Sequence, residues 1–168
     1  MPETEFQMSI QPCAIIQIEG WANRAPTFEA ALESWLGVPA PAEVGEILSL
    51  GSRSFVRIAP RRGWLLDADD TAFGLDPDIG CTLALPDGRM RIRLSGERVL
   101  DVLSACLAID WDAPSAAPGR ALQTGFQKVP VMALRAAPRA IDLLAPRSLA
   151  RSLTEWLAEV AGPWMHRS

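Results

Sequence analysis

Cys81-Thr-Leu-Ala-Leu-Pro-Asp-Gly-Arg-Met-Arg-Ile-Arg-Leu-Ser-Gly-Glu-Arg-Val-Leu-Asp-Val-Leu-Ser-Ala-Cys-Leu-Ala108 decides the fold class. Its first half reads as strands over 81–85 and 89–94. They flank Pro86-Asp87-Gly88, a set of turn formers that predicts a hairpin. Met90, Ile92 and Leu94 alternate with Arg89, Arg91 and Arg93, which predicts one buried and one solvated face. After Ser95-Gly96 the period changes. Val99, Leu100, Leu103, Cys106 and Leu107 recur at helical spacing, predicting a helix to about Ala108. Adjacent strands joined by tight turns and then covered by a helix build antiparallel sheet, not a doubly wound parallel one.

The same rhythm extends outward in both directions. Toward the N-terminus, 13–19 reads as a strand ending at Gly20. A helix follows over 27–36, with Phe28, Ala31, Leu32, Trp35 and Leu36 on one stripe, Thr27 as N-cap and Gly37 as stop. Pro39 and Pro41 force an extended link, and strands are expected at 46–50, 54–59 and 63–67. The acidic stretch 67–78 reads as a loop or short helix. Toward the C-terminus, a Pro/Ala/Ser-rich loop (113–119) leads to strands near 122–126, 129–134 and 140–144. A last helix runs from about Ser148 to Ala161, with Leu149, Leu153, Trp156, Leu157 and Val160 on its buried stripe and Gly162-Pro163 ending it. This order predicts an α+β fold of two packed split β-α-β halves with mostly antiparallel sheets. It is expected to form a single domain over 1–168, with 1–12 as a flexible polar leader.

Composition narrows the function classes. A chain of 168 residues, 49% hydrophobic, is long enough to bury a real core. The net charge is −4, and Lys128 is the only lysine among scattered arginines. That excludes the basic face of a nucleic-acid binder. The preference for Arg, Ala and Pro over Lys and Ile is what a GC-rich bacterial genome would be expected to give, rather than a mark of function. Cys13, Cys81 and Cys106 are odd in number and form no CxxC pair, so no zinc ribbon or thioredoxin motif is available. With no basic-then-apolar leader in MPETEFQMSI and no run of membrane-spanning length, a cytoplasmic location is expected.

The residues that could carry chemistry are few. His166 is the only histidine, and a terminal position does not supply the held imidazole of a catalytic triad. Asp67, Asp69, Asp70, Asp76 and Asp78 invite comparison with a calcium loop. However, Ala72 stands where the sharp turn needs glycine, and Asp78 where a bidentate Glu is needed. No glycine-rich phosphate cradle occurs. No catalytic, cofactor-binding or metal-binding residue is therefore assigned to this chain. Six tryptophans and no tyrosine draw attention instead. Trp35 and Trp156 lie on helical stripes and read as core. Trp21, Trp111 and Trp164 fall at element ends or in loops, where core and protein interface are equally good readings. At the start of the last helix, Ser148 reads as N-cap, with Arg147 either solvated or clamping a partner carboxylate. The candidate interface residues are thus Trp21, Trp111, Arg147 and Trp164.

Four strings in order then carry a resemblance. Gln17-Ile-Glu-Gly-Trp21 through Leu36-Gly-Val-Pro39 follows the opening strand and helix of the gamma subunit of heterotetrameric sarcosine oxidase. Ile58-Ala-Pro-Arg-Arg-Gly-Trp-Leu-Leu66 resembles that family's strand entry. Residues 91–110 are similar to its strand–helix block, and Asp142-Leu-Leu-Ala-Pro-Arg-Ser-Leu-Ala-Arg-Ser-Leu-Thr-Glu-Trp-Leu157 to its ending. Ala105 stands where the family has a glycine, which implies a straighter helix here.

The resemblance implies a fold like the folate-binding domain of the glycine-cleavage aminomethyltransferase. It also implies a non-catalytic subunit that binds no cofactor. In such complexes NAD and the tetrahydrofolate site belong to alpha, FAD to beta, FMN to their junction, and zinc to a small delta subunit. The assembly oxidatively demethylates sarcosine, passes the one-carbon unit to tetrahydrofolate and makes peroxide. The expected partners are therefore the alpha, beta and delta subunits. Alternatives are a gamma-type subunit of a related N-methyl amino acid or secondary-amine oxidase or dehydrogenase, a stand-alone folate-binding protein gripping a pterin through Glu97, Asp101 or Asp110, and a homodimeric scaffold.

Overall fold

The computed structural model describes residues 5–68 and 73–164. The strands are β1 (Gln7–Gly20), β2 (Ile47–Leu50), β3 (Arg53–Ala59), β4 (Arg62–Leu66), β5 (Gly80–Ser95), β6 (Arg120–Phe126), β7 (Val129–Ala137) and β8 (Ala140–Pro146). The helices are α1 (Ala25–Leu36), α2 (Val99–Cys106) and α3 (Arg147–Ala161), with short 3-10 turns at Ala22–Arg24 and Pro114–Ala116. The chain divides into two compact units, Ala14–Pro86 and the remainder, so both boundaries fall inside strands, β1 and β5. The pairings of β1 with β4, β2 with β3, β3 with β4, β5 with β8, β6 with β7 and β7 with β8 are all antiparallel. The fold is α+β with mostly antiparallel sheet.

In the 14–86 unit the strands run β2-β3-β4-β1. Ile18, Phe28, Leu32, Phe55, Leu65 and Phe73 form its core, and Trp35 packs against it with its ring 4.6 Å from Phe73. Gly63 on β4 sits under the Phe55 ring, in space that a Cβ would occupy. Pro26 lies in the first turn of α1, where its missing N–H costs nothing. Thr27 does not cap the helix: no side chain does, because the 3-10 turn at Ala22–Arg24 runs directly into α1. The expected stop holds, with Gly37 left-handed (φ 75°) and its N–H bonded to the Glu33 carbonyl. Arg57 is buried and ties three segments together. It makes a two-pronged bond to Glu29 on α1 (2.9 and 2.7 Å) and donates to the Pro41 carbonyl of the link (2.9 Å) and the Pro60 carbonyl (3.2 Å).

In the other unit the strands run β5-β8-β7-β6. Ile92, Leu94, Ile141 and Leu143 meet Val102 and Leu103 of α2 and Leu153 and Leu157 of α3 in one core. Gln127 and Lys128 both adopt positive φ (49° and 69°), which gives the β6–β7 hairpin a tight turn matched to the strand twist.

Four expectations need correction. Pro86-Asp87-Gly88 does not turn, and β5 runs straight through it. Residues 89–95 pair instead with 140–146, so a long apolar partner strand outweighs local turn propensity. The expected leader is strand from Gln7 onward, with Phe6 buried and Met8 packed on the same core. Arg91 is buried, not solvated, although on the same alternation Arg93 is exposed and Arg89 half-buried. Finally, α3 buries Ala150, Leu153, Leu157 and Ala161, while Leu149 and Trp156 stay exposed. The small alanines let the helix backbone approach the sheet, which rotates the buried stripe away from the bulky residues.

Candidate functional site

The four interface candidates lie in different surroundings. Trp21 caps the 3-10 turn and is 41% exposed. Its Nε1–H donates to the Pro77 carbonyl at 2.7 Å, so the indole is held in place and shows solvent its apolar body. Trp111, by contrast, is core: it is 7% exposed and its carbonyl accepts from Arg135 Nη1 at 2.8 Å. The reason is that the loop after α2 folds back over Val99 and Leu103 instead of reaching into solvent. Trp164 is half-buried and packs against the same core. Arg147 is exposed as the first residue of α3. Ser148 is not the N-cap, since Pro146 holds that place and no side chain caps it. Trp156 is half in and half out, its ring edge-on to Phe126 at 5.9 Å.

Asp142 marks a charged cluster that the sequence did not single out. Arg93 grips its carboxylate with two bonds (3.0 and 3.1 Å). Arg91 Nε lies 3.2 Å from Oδ2, close enough for charge attraction but off the line of a hydrogen bond. Arg91 Nη2 also reaches Cys13 Sγ at 3.4 Å. The signal for this cluster was the arginine alternation in β5, which pointed to a solvated face. Near it, Gln7, Met8, Ser9, Arg93 and Ser95 line an open recess of about 380 Å³.

Glu19 holds Arg62 with two bonds (2.8 and 2.7 Å). That hydrogen bonding keeps the Glu19 carboxyl below its ordinary value and Arg62 above its own. Burial pushes the Cys106 thiol up and the Arg89 guanidinium down. The acidic residues available for a pterin do not converge. Glu97 pairs with Arg139 (2.5 Å), Asp101 with Arg98 (3.1 Å), and Asp110 accepts the Asp112 N–H (3.1 Å). Among the described residues no three His, Cys, Asp or Glu side chains gather as a metal site. Asp69, Asp70 and His166 lie outside the described residues. No helix among the described residues is long and apolar enough to cross a membrane.

No protein-family model matches the chain, and no curated protein matches it by sequence. Solved structures do match. One is a chain of the heterotetrameric sarcosine oxidase from Corynebacterium sp. U-96, determined in complex with pyrrole 2-carboxylate. The TM-score is 0.83 at 21% identity, over 100% of this chain and 89% of that one. This chain has the fold of a sarcosine oxidase chain. A second match is the glycine cleavage system aminomethyltransferase T from Bartonella henselae, with a TM-score of 0.61 at 16% identity. There the likeness covers 92% of this chain but 46% of the other, so this chain spans about half that protein's length. The α+β, aminomethyltransferase-like fold expected from the sequence is the fold observed.

Proposed function

We propose that this chain is a non-catalytic accessory subunit of a heterotetrameric sarcosine oxidase-type flavoenzyme. The observation that carries the reading is the end-to-end match to a chain of such an oxidase, with neither chain leaving a large unmatched part. On this reading FAD, FMN, NAD and tetrahydrofolate belong to the other chains. This one contributes surface, with Trp21 as an anchor. An indole whose N–H is already bonded internally can be covered by a partner without stranding a donor, and tryptophans in such positions often dominate interface energy. The partners are the alpha, beta and delta subunits of the oxidase, and the shared reaction is oxidative demethylation of sarcosine with transfer of the one-carbon unit to tetrahydrofolate.

The test is co-expression of this chain, tagged, with the flavoprotein chains of a sarcosine oxidase from the same source. Affinity capture should retain flavin-bearing partners that form peroxide from sarcosine, and Trp21→Ala should weaken capture at least about tenfold. Capture of this chain alone, or flavin bound by the isolated chain, would overturn the reading. Capture of chains that oxidise another secondary amine would move it to a related oxidase. The likeness to the aminomethyltransferase supports a second reading, a stand-alone folate-binding protein. The separately paired Glu97, Asp101 and Asp110 do not form a pterin grip, so calorimetric titration with tetrahydrofolate should give no heat.

A further inference from the structure

The link between α1 and β2 is apolar, largely exposed and stiff. Pro39 and Pro41 fix their own φ, and each holds the residue before it, Val38 or Ala40, extended. Residues 39–42 accordingly form neither helix nor strand. Their burial follows the three-residue period of a polyproline II helix. Ala40 packs against the core, while Pro39 and Ala42, one turn apart on the same edge, are exposed, as is Val38. Two bonds hold the segment in place. Glu33 of α1 accepts the Ala40 N–H at 3.4 Å, and the buried Arg57 donates to the Pro41 carbonyl at 2.9 Å. The carbonyls of Val38, Pro39 and Ala40 accept no hydrogen bond from the described residues. The surroundings carry one sign of charge. Residues 25–52 include Glu29, Glu33, Glu43 and Glu46 and no Lys, Arg or His. Arg57 answers Glu29, while Glu33 and Glu43, which bracket 38–42, are exposed.

We propose that 38–42 is a polyproline II docking strip for a groove on a flavoprotein chain, lined by aromatic side chains and rimmed by Arg or Lys. This rests on the accessory-subunit reading above and names the surface that serves it. A proline strip already held extended loses little conformational freedom on binding, and aromatic rings pack flat on proline and valine. The open carbonyls accept from indole or guanidinium N–H groups in such a groove. Glu33 and Glu43 set the sign of the rim and make the contact weaken with salt. A two-fold contact of the strip with its own copy sets acidic surface against acidic surface, which disfavours a homodimer here.

The test uses the full chain, tagged and co-expressed with the flavoprotein chains, with retained flavin as the readout. Pro39→Gly removes an exposed ring and frees the backbone, and Glu43→Arg reverses one charge of the rim. Each should weaken capture at least about tenfold while thermal melting shows the chain folded. High salt should weaken capture by the wild type more than capture by Glu43→Arg. Hydrogen exchange of the wild-type complex reads the same surface without a substitution, and amides within 38–44 should slow at least about tenfold on assembly. A wild type that retains flavin while both variants retain it equally, with 38–44 exchanging as in the isolated chain, would overturn the strip and leave the accessory-subunit reading standing. A wild type that retains no flavin would overturn both.

Discussion

Arg135 is a buried cation whose bonds go to carbonyls: Trp111 (2.8 Å), Ala116 (2.8 Å) and Pro138 (3.1 Å). It pins the loop after α2 to β7, with the Trp111 ring 6.0 Å from its guanidinium. Arg135→Met should cost about 2–4 kcal/mol, because three carbonyls lose a charged donor. Urea denaturation measures this, and a loss under about 1 kcal/mol would show that water replaces the guanidinium. Trp111 Nε1 is buried with no hydrogen-bond partner among the described residues. Trp111→Phe should therefore change stability by less than about 1 kcal/mol, while Trp111→Ala should cost about 3–5 kcal/mol. Equal losses from both would mean that the indole N–H is bonded after all. Neither role was plain in the sequence, which left Trp111 open between core and interface. A sign did exist: the unbroken apolar run from Val131 to Leu134 lacks alternation. A strand covered on both faces carries its next residue, Arg135, inside as well.

At the scale of elements, apolar periodicity placed α1 and α3 within a few residues, while their ends were read wrongly. Caps depend on what precedes the helix, and here a 3-10 turn and Pro146 take those places. Thr27→Ala and Ser148→Ala should each shift stability by less than about 0.5 kcal/mol in thermal melts, not the roughly 1 kcal/mol of a lost cap. The false hairpin at Pro86-Asp87-Gly88 has a similar origin, since turn residues state a local preference and a 16-residue strand obeys its distant partner. Between β1 and β4, Glu19 and Arg62 give the sheet a pH-dependent link. The Glu19 carboxyl is lowered on folding, so its contribution is present above the unfolded value near 4.5 and is lost as pH falls through the folded value. The stability gap between wild type and Glu19→Gln should hold at neutral pH and close below about pH 4.5. A gap unchanged at pH 3 would show that the bond to Arg62 does not require the charge.

For the whole molecule, strand and helix order was legible because hydrophobic period and turn residues agree along most of the chain. Two halves were expected from the repeated rhythm, but their boundaries were not legible, because these lie inside β1 and β5, where no linker composition marks them. For the candidate site the sequence offered only an expectation of its kind, a surface in place of a pocket, with four residues named for it. Of those four, Trp21 and Arg147 are exposed, Trp111 is buried and Trp164 is half-buried. Exposure of a tryptophan at the end of an element depends on how the next loop folds back, and composition does not encode that. The central claim is that this chain works by assembling with flavoprotein chains. Size-exclusion chromatography of the co-expressed chains, following protein and flavin absorbance together, tests it most directly. The account expects this chain to elute with the flavin at a mass well above 18.2 kDa. Elution of this chain apart from the flavin peak, with the flavoprotein chains fully assembled and active without it, would contradict the account.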